Sequence, residues 1–528
     1  MSEPAWYERT AEAVHGNRIE REILLDLVER CAKAAAEPDP ALDGLVEDLV
    51  RLADHPEPGS LDLERRLDSV SQRLRHALLA RAHSSIDPYF RSPTHERPTV
   101  LPSGRTMKYS YERSADPAWL EERLGRCALE APDARDSRDA PETRGGWHSE
   151  HVVFGSGTAA ISAVLNCYLR MVPADFGRPV RAGVWASYFE TDMVFEFRSS
   201  PLFGWERLTD LGKAVSQGAY DLLFVEPVRY NWDLDAVDLR DFLSRWRARG
   251  AGRPRCVVFD TTLSSFTWPS RKVLEALRDG DPLLVVELRS GLKLDQQGLE
   301  LGNLGLVTVH SVDEGAGTPS AEQFAGHLRM SRAVTGTSVP LDAAAALDVP
   351  IVLDPALTAR HAGQVFLANQ RLAAELESEQ GLFSAVGHPS LPDVPAGTPK
   401  HAPFVVCRLA EDEIAHHGLL LAVVRHEAVR RGLLLDWGSS FGFRGHRCET
   451  ILPRLKDRKG LFKLAMGARS GPSLAGTVEL LREVARFPDF RSLRAAYPDV
   501  PQIDLAKYAD PADPVEEGGD QLAEKVRA

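Results

Sequence analysis

Residues 256–260 (CVVFD) and 283–288 (LLVVEL) are two short, mostly apolar runs, and residues 271–278 between them have the spacing of an amphipathic helix. The same alternation continues in four more apolar runs and two more helical segments: 151–154, 181–185, 221–226 and 304–310, with 157–171 and 236–248. Strands that are apolar along their length are typical of parallel sheets covered by helices on both faces. The sequence therefore predicts an α/β domain with a mainly parallel sheet.

The residues that precede the first of these runs, 151–154, follow other patterns. From residue 1 to about 90, apolar residues recur at spacings of three and four, as in Glu20–Ala32 and Leu61–Leu79, which predicts helices. Residues 87–118 are rich in Pro, Ser, Tyr and Arg and predict an extended arm. The polar residues 128–149 contain Pro and Gly and predict an exposed loop.

The C-terminal part has the pattern of a second, smaller unit. A long amphipathic helix over 354–380 precedes strands and helices that alternate up to about residue 486, which predicts an α+β domain. The chain is therefore expected to contain four parts: a helical extension and arm (1–100), a large domain (101–355), a small α+β domain (356–500) and an acidic tail (501–528).

The overall composition narrows the class of protein. Of the 528 residues, 63 are Lys or Arg and 76 are Asp or Glu, and the net charge of −13 argues against a protein that coats nucleic acid. No apolar run approaches the roughly 18 residues of a membrane helix, and the first residues lack the pattern of a secretory signal. The six cysteines are scattered, which is typical of reduced thiols and predicts no metal site. We expect an acidic cytoplasmic protein.

A glycine-containing turn follows the first predicted strand of the sheet. Residues 155–160 (GSGTAA) open the helix 157–171, and small residues at this point let backbone N–H groups approach an anion. The turn matches neither a P-loop nor a full dinucleotide fingerprint. It predicts either a phosphate site or a turn with a structural role.

Three further side chains follow strands of the same sheet. Tyr188 either stacks on a planar ligand or packs at the rim. Asp260 ends a strand at the edge where open α/β sheets bind ligands, although it could instead cap the next helix. Lys293 follows the strand 283–288, where burial lowers the pKa of an amine and makes it a usable nucleophile; a surface lysine is the alternative.

The order of these features along the chain matches one cofactor. Pyridoxal 5′-phosphate requires donors for its phosphate, a flat partner for its ring, an anion for its ring nitrogen and an amine for its aldehyde. Each feature is common by itself, whereas their ordered combination predicts a pyridoxal-phosphate site.

Residues 109–490 resemble the fold type I pyridoxal-phosphate enzymes, and within them the cystathionine γ-synthase, cystathionine γ-lyase and methionine γ-lyase family. The matching motifs are 111–117 (YERSADP), 155–161 (GSGTAAI), 188–191 (YFET), 226–231 (EPVRYN), 260–262 (DTT), 290–293 (SGLK) and 440–442 (SFG). The resemblance implies an aminotransferase-like fold: a large domain with a mainly parallel seven-stranded sheet and a small C-terminal α+β domain. The N-terminal helices are an addition to that core.

The resemblance also implies roles for individual residues. It makes Lys293, Tyr188 and Tyr111 catalytic, with Lys293 forming the Schiff base. The residues implied to bind the cofactor are Gly157, Thr158, Tyr188, Asn231, Asp260, Ser290, Lys293, Tyr111 and Arg113, and Ser440 is implied to lie near the substrate. Because the family's equivalents of Tyr111 and Arg113 reach into a neighbouring subunit, a homodimer or homotetramer with shared active sites is expected.

The sequence departs from the family in the residues expected to bind anions. Leu292 stands where the family has a threonine near the phosphate, and Lys463 where it has the arginine that binds the substrate α-carboxylate. A lysine cannot form the bidentate contact of an arginine, so Arg469 is a second candidate for this role.

A basic cluster, Arg444, His446 and Arg447, follows the SFG motif. It either holds an anionic second substrate or a nucleotide phosphate at the site entrance, or makes ion pairs on a solvated loop.

Together, the residues and the resemblance predict γ-elimination or γ-replacement on a small amino acid with a γ leaving group. The candidate substrates are an O-acyl-homoserine, a cystathionine-like compound and S-adenosylmethionine, and C–S or C–C bond formation in specialised biosynthesis is included. Two alternatives are an aminotransferase of the same fold and a degenerate, non-catalytic member of the family. No nucleic-acid or membrane partner is expected.

Overall fold

The computed structural model describes thirteen stretches of the chain: residues 5–86, 91–92, 98–107, 109–129, 146–171, 178–218, 220–249, 253–278, 283–312, 318–379, 381–392, 398–451 and 460–505. Of the predicted loop 128–149, residues 130–145 lie outside them, as do residues 506–528 of the predicted tail. The rest of that loop differs from the prediction, because its first residues end a helix and its last begin a strand.

The N-terminal part contains three helices: α1 (Ala11–Lys33), α2 (Pro40–Arg51) and α3 (Leu61–Ile86). The Asp39 carboxylate caps α2 by accepting from Ala41 N at 3.0 Å, and Pro40 occupies the first turn. Of the predicted extended arm 87–118, residues 87–90, 93–97 and 108 lie outside the described stretches. The described part contains a short hairpin, β1 (Thr99–Val100) and β2 (Thr106–Met107), and α4 (Ala118–Leu129) follows.

The large domain is built on a seven-stranded sheet in the order β3-β9-β8-β7-β6-β4-β5. Its strands are β3 (His148–Phe154), β4 (Val180–Trp185), β5 (Phe203–Arg207), β6 (Leu222–Val225), β7 (Cys256–Asp260), β8 (Leu284–Ser290) and β9 (Gly305–Ser311). Strands β4 to β8 are mutually parallel, and β9 is antiparallel to both of its neighbours. The predicted α/β class and mainly parallel sheet are confirmed.

Helices cover both faces of this sheet, as the apolar strands require. They are α5 (Gly157–Met171), α6 (Phe189–Glu196), α7 (Leu211–Gln217), α8 (Leu239–Ala248), α9 (Ser270–Leu277), α10 (Ala321–Thr335) and α11 (Leu341–Leu347). One apolar cluster contains residues of α5 and α10, and a second, on the other face, contains residues of α8 and α9. The sequence did not predict the edge strand β5, because most of its side chains are exposed.

The small domain carries a five-stranded sheet in the order β10-β11-β14-β13-β12. Its elements are α12 (Pro355–Glu377), β10 (Phe383–Gly387), β11 (Val405–Leu409), α13 (Ile414–Arg431), β12 (Leu435–Trp437), β13 (His446–Ile451), β14 (Leu461–Ala465), α14 (Pro472–Ala485) and α15 (Phe490–Ala496). Strand β13 was not predicted, since its sequence HRCETI is mostly polar although it lies inside the sheet.

The N-terminal helices pack on both domains. Leu67 and Leu74 of α3 share an apolar cluster with Leu347 of α11, whereas Tyr7 and Leu61 belong to the core of the small domain. The extension is therefore continuous with the rest of the core. No described helix is long and apolar enough to span a membrane, and the six cysteines are free thiols.

Candidate active site

Four side chains meet at one edge of the large sheet. Tyr188 follows β4, Glu226 follows β6, Asp260 ends β7, and Lys293 lies three residues beyond β8. Because these strands are parallel, their carboxyl ends lie on the same side, which is where open α/β sheets bind ligands. The topology thus brings together residues that are about a hundred positions apart in sequence.

These residues line a cavity of about 580 Å³. It contains eight of the residues that the sequence singled out: Gly157, Thr158, Tyr188, Asp260, Ser290, Lys293, Ser440 and Lys463. The small domain contributes Ser440 and Lys463, so both domains form the walls. Leu292 is also in the lining.

Hydroxyl groups surround the start of α5 at this cavity. Ser156 caps the helix by accepting from Ala159 N at 3.1 Å, and its hydroxyl lies 3.2 Å from that of Thr158. A Cβ at Gly157 would lie 3.2 Å from Ser290 Cβ, which is a tight contact. The helix start is thus open to the cavity and offers backbone N–H groups and hydroxyls, as an anion site requires.

Lys293 is held by a residue of the small domain. Its Nζ donates to Ser440 Oγ at 2.5 Å, and Ser440 has a φ of 76°, in the left-handed region. Burial lowers the pKa of the Lys293 amine, and the positive charge of Lys463 lowers it further. A larger fraction of unprotonated, nucleophilic amine at neutral pH follows than for an exposed lysine.

Two buried carboxyls lie beside each other at the strand ends. Burial raises the pKa of Asp260, and hydrogen bonding from Thr262 offsets this only in part. Burial also raises the pKa of Glu226 to about 8, and the nearby Asp260 contributes. Glu226 accepts from the backbone of Ser187 at 3.0 Å and of Tyr230 at 3.3 Å. A cationic group of a ligand would complement this pair of acids.

The raised pKa of Glu226 makes the ligand-free protein less stable as the pH rises. The folded state holds the proton up to about pH 8, whereas an ordinary glutamate of the unfolded chain loses it at about 4.5, so the stabilisation is lost between these values. We compare the free energy of unfolding of Glu226→Gln with that of wild type at both ends of this pH range. The variant should gain on wild type by on the order of a few kcal/mol from the lower end to the upper end. Urea unfolding at several pH values measures this.

The exposed Glu275→Gln on α9 is the control for that experiment, because its side chain is 59% exposed. It should shift the free energy of unfolding equally at both ends of the range. If Glu226→Gln behaved in the same way as this control, the carboxyl of Glu226 would be charged in the folded protein.

Lys463 forms a buried polar group with two neighbours. Its Nζ lies 2.5 Å from Glu449 Oε2 and donates to the Tyr230 hydroxyl at 3.0 Å. Glu449 and Lys463 face each other across β13 and β14. All three residues line the cavity.

Four predicted site residues lie outside the lining. The Asn231 amide donates to Asp235 at 2.9 Å and closes a local turn, so Tyr230 rather than Asn231 faces the cavity. Arg469 pairs with Asp68 of α3. Tyr111 is 54% exposed, and the Arg113 guanidinium, which donates to Ala333 O at 3.1 Å, lies over its ring.

The basic cluster is neither an entrance site nor a solvated loop. Arg444 is 2% exposed and pairs with Glu20 of α1, while His446 is 1% exposed, and its burial lowers its pKa to about 3. Arg447 donates to Ser439 O at 3.0 Å and lies over the Phe443 ring. Neither of the two alternatives drawn from the sequence included this burial. Both treated the segment as an exposed loop, whereas α1 covers it.

Sequence reasoning also missed several polar residues of the lining, among them Glu190, Tyr230 and Glu449. Glu190 and Tyr230 lie inside the quoted motifs 188–191 and 226–231, so they could have been considered with them. Glu449 had no such signal, because its approach to the cavity depends on the pairing of β13 with β14.

Comparison with known proteins places this fold in a class. A scan of protein-family models and a search of curated proteins gave no match. Solved structures do match, and at these low identities the similarity shows the fold alone, which is that of fold type I pyridoxal-phosphate enzymes.

The particular structures include cystathionine gamma-lyase from yeast, with 15% identity and a TM-score of 0.50 over 77% of this chain and 98% of that chain. A second is metB from Corynebacterium glutamicum, with 16% identity and a TM-score of 0.50 over 71% of this chain and 87% of that one. A methionine gamma lyase from Micromonospora echinospora has 22% identity and a TM-score of 0.48 over 72% and 89%. The fold expected from the sequence motifs is confirmed.

Proposed function

We propose that this protein is a pyridoxal-phosphate-dependent enzyme that catalyses γ-elimination or γ-replacement on an amino acid. The observation that carries the proposal is the meeting, in one cavity, of the Lys293 amine, the Asp260 carboxyl and the hydroxyl-lined start of α5. The cystathionine gamma-lyase from yeast shares the fold, which supports this class of reaction.

The residues of the cavity fit the cofactor. Gly157 and Thr158 line the cavity at the start of α5, where the helix N-terminus and the Thr158 hydroxyl suit a phosphate. Asp260 is a partly buried acid whose pKa is raised by burial, and a protonated ring nitrogen would offset that effect. Lys293 supplies an amine for the aldehyde, and Tyr188 supplies a flat ring for stacking. When bound, pyridoxal phosphate acts as an electron sink for negative charge on the substrate carbon.

The side chains of the cavity transfer protons and orient the reacting groups. Lys293, with its lowered pKa, accepts the proton from the substrate Cα and returns it later. Ser440 orients this amine through its hydroxyl. Asp260 keeps the ring nitrogen protonated, and Tyr188 covers the ring and assists departure of the γ group. Ser290 contributes to the phosphate end.

A second copy of the chain completes the site. The described lining contains no arginine, although a phosphate carries roughly two negative charges. Tyr111 and Arg113 are exposed on this chain, so we propose that they serve the cavity of a neighbouring subunit in a homodimer or homotetramer.

The test is an absorbance titration of the purified protein. Pyridoxal phosphate should produce a visible band, and an O-acyl-homoserine or S-adenosylmethionine should change it and release the γ leaving group. Conversion of the cofactor to its amine form by amino donors, without release of a leaving group, would identify an aminotransferase. A protein that stays colourless after cofactor addition would indicate a non-catalytic relative.

A further inference from the structure

The small domain forms one end of the cavity. This end carries an ion pair without net charge rather than an isolated positive charge. Lys463 is 3% exposed and Glu449 18%, with 2.5 Å between Nζ and Oε2. Because the two residues are directly opposite each other on β13 and β14, the strand register holds them together. We call this pair and the Tyr230 hydroxyl the polar triplet.

Glu449 itself disfavours an anionic ligand group at this end of the cavity. It lies against Lys463, and the other lysine of the described lining, Lys293, donates to Ser440. A substrate carboxylate at the triplet would lie beside Glu449, where water is scarce and like charges repel strongly. Its attraction to Lys463 would be offset by that repulsion.

Arg447 does not supply the missing charge. It shares the sheet face of Glu449, but its guanidinium donates to Ser439 O and lies 3.4 Å from Glu300 Oε2. The Cζ atom of Arg447 lies 3.6 Å from the Phe443 ring centroid, and Arg447 is not part of the lining.

The triplet offers one strong acceptor and one strong donor to the same ligand group. A carboxylate oxygen of Glu449 can accept from an N–H, and the Lys463 ammonium, which has three protons, donates one of them to Tyr230. A primary carboxamide matches this pattern, since its NH2 donates to the acid while its C=O accepts from the amine. No net charge is added.

We propose that the polar triplet recognises a primary carboxamide in place of a free carboxylate on the reacting amino-acid derivative. This deepens the proposed function and rests on it. Lys463 and Glu449 are then the residues that determine substrate specificity at this end of the cavity.

The test compares the binding of L-methionine and L-methioninamide to the cofactor-loaded protein by calorimetry. The pH is chosen so that both α-amines are protonated. The amide should bind more tightly by roughly ten- to a hundredfold, the range expected for a hydrogen bond to a charged group. Equal binding, or tighter binding of the acid, would overturn the proposal without the need for any variant.

Glu449→Gln provides the second measurement. It removes the negative charge while keeping an amide of similar shape, so the acid should gain roughly tenfold in affinity and the amide should lose affinity. The charge-matched control is Glu275→Gln, which removes an exposed carboxyl of α9 outside the described lining and should leave the ratio of the two affinities unchanged. If both variants changed the ratio of the two affinities equally, the loss of one negative charge from the protein would explain the change. The triplet would then not determine which ligand is preferred.

The two proposals fail in different ways. A protein without a visible band after cofactor addition contradicts the proposed function. A protein that shows the band but prefers L-methionine contradicts only the carboxamide inference.

Discussion

Lys293→Ala should abolish the visible absorbance band and lower the rate of leaving-group release by a factor on the order of 10⁴ or more. The reason is that one amine does two tasks, since it holds the cofactor aldehyde and moves the Cα proton. Its Nζ donates to Ser440 across the cavity, and burial lowers its pKa. Both quantities are measured on the same preparation by absorbance and by product release.

Lys213→Ala is the matched control, because this lysine is exposed in α7. It should keep the band and the rate. Comparison of the two variants by circular dichroism separates a lost amine from a lost fold. A Lys293→Ala protein that retained the wild-type band and rate would show that another amine binds the cofactor.

Glu20→Ala should lower the free energy of unfolding by about 3–5 kcal/mol, because it leaves the Arg444 guanidinium buried without its anion. The Arg444 Nε lies 2.9 Å from Glu20 Oε1, and both side chains are 3% exposed. Urea unfolding, followed by fluorescence and by circular dichroism, measures the loss. Since Arg444 follows the segment that carries Ser440, we also expect weaker cofactor binding.

A neighbouring residue of the same helix gives the control for that variant. Glu22 pairs with Arg18 on the surface, with both side chains about half exposed. Glu22→Ala should therefore change the free energy of unfolding by less than about 1 kcal/mol. Equal losses for the two variants would mean that the Glu20–Arg444 pair contributes no more than a surface ion pair.

Much of the large domain was accessible from local patterns. The apolar runs around β7 and β8 and the helix spacing between them depend on residues close in sequence, so periodicity predicts them. The strand-end positions of Asp260 and Lys293 follow from the same patterns, because parallel strands share one carboxyl edge. That is why the six predicted residues of the large domain lie in one cavity.

The exceptions have a common physical cause. The motif 226–231 implied that Asn231 binds the cofactor, but its side-chain amide donates to Asp235 within a turn. Arg469 was a candidate for the substrate carboxylate, and Arg444 was expected either in an anion site or in an ion pair on a solvated loop. In the structure, acids of α3 and α1, roughly 400 positions away, neutralise them. Partners so distant in sequence leave no periodic signal near the residue that they neutralise.

By itself, the sequence determined the α/β class, the order of the strand-end residues and the position of the amine, since each depends on short-range hydrophobic spacing and on glycine at a tight turn. Only the tertiary structure decided the net charge of the cavity. Glu449 faces Lys463 because two strands pair in one register, and Arg444 is neutralised because α1 packs against the small domain. Electrostatic interactions depend on distance in space, so they became visible only once the chain had been folded.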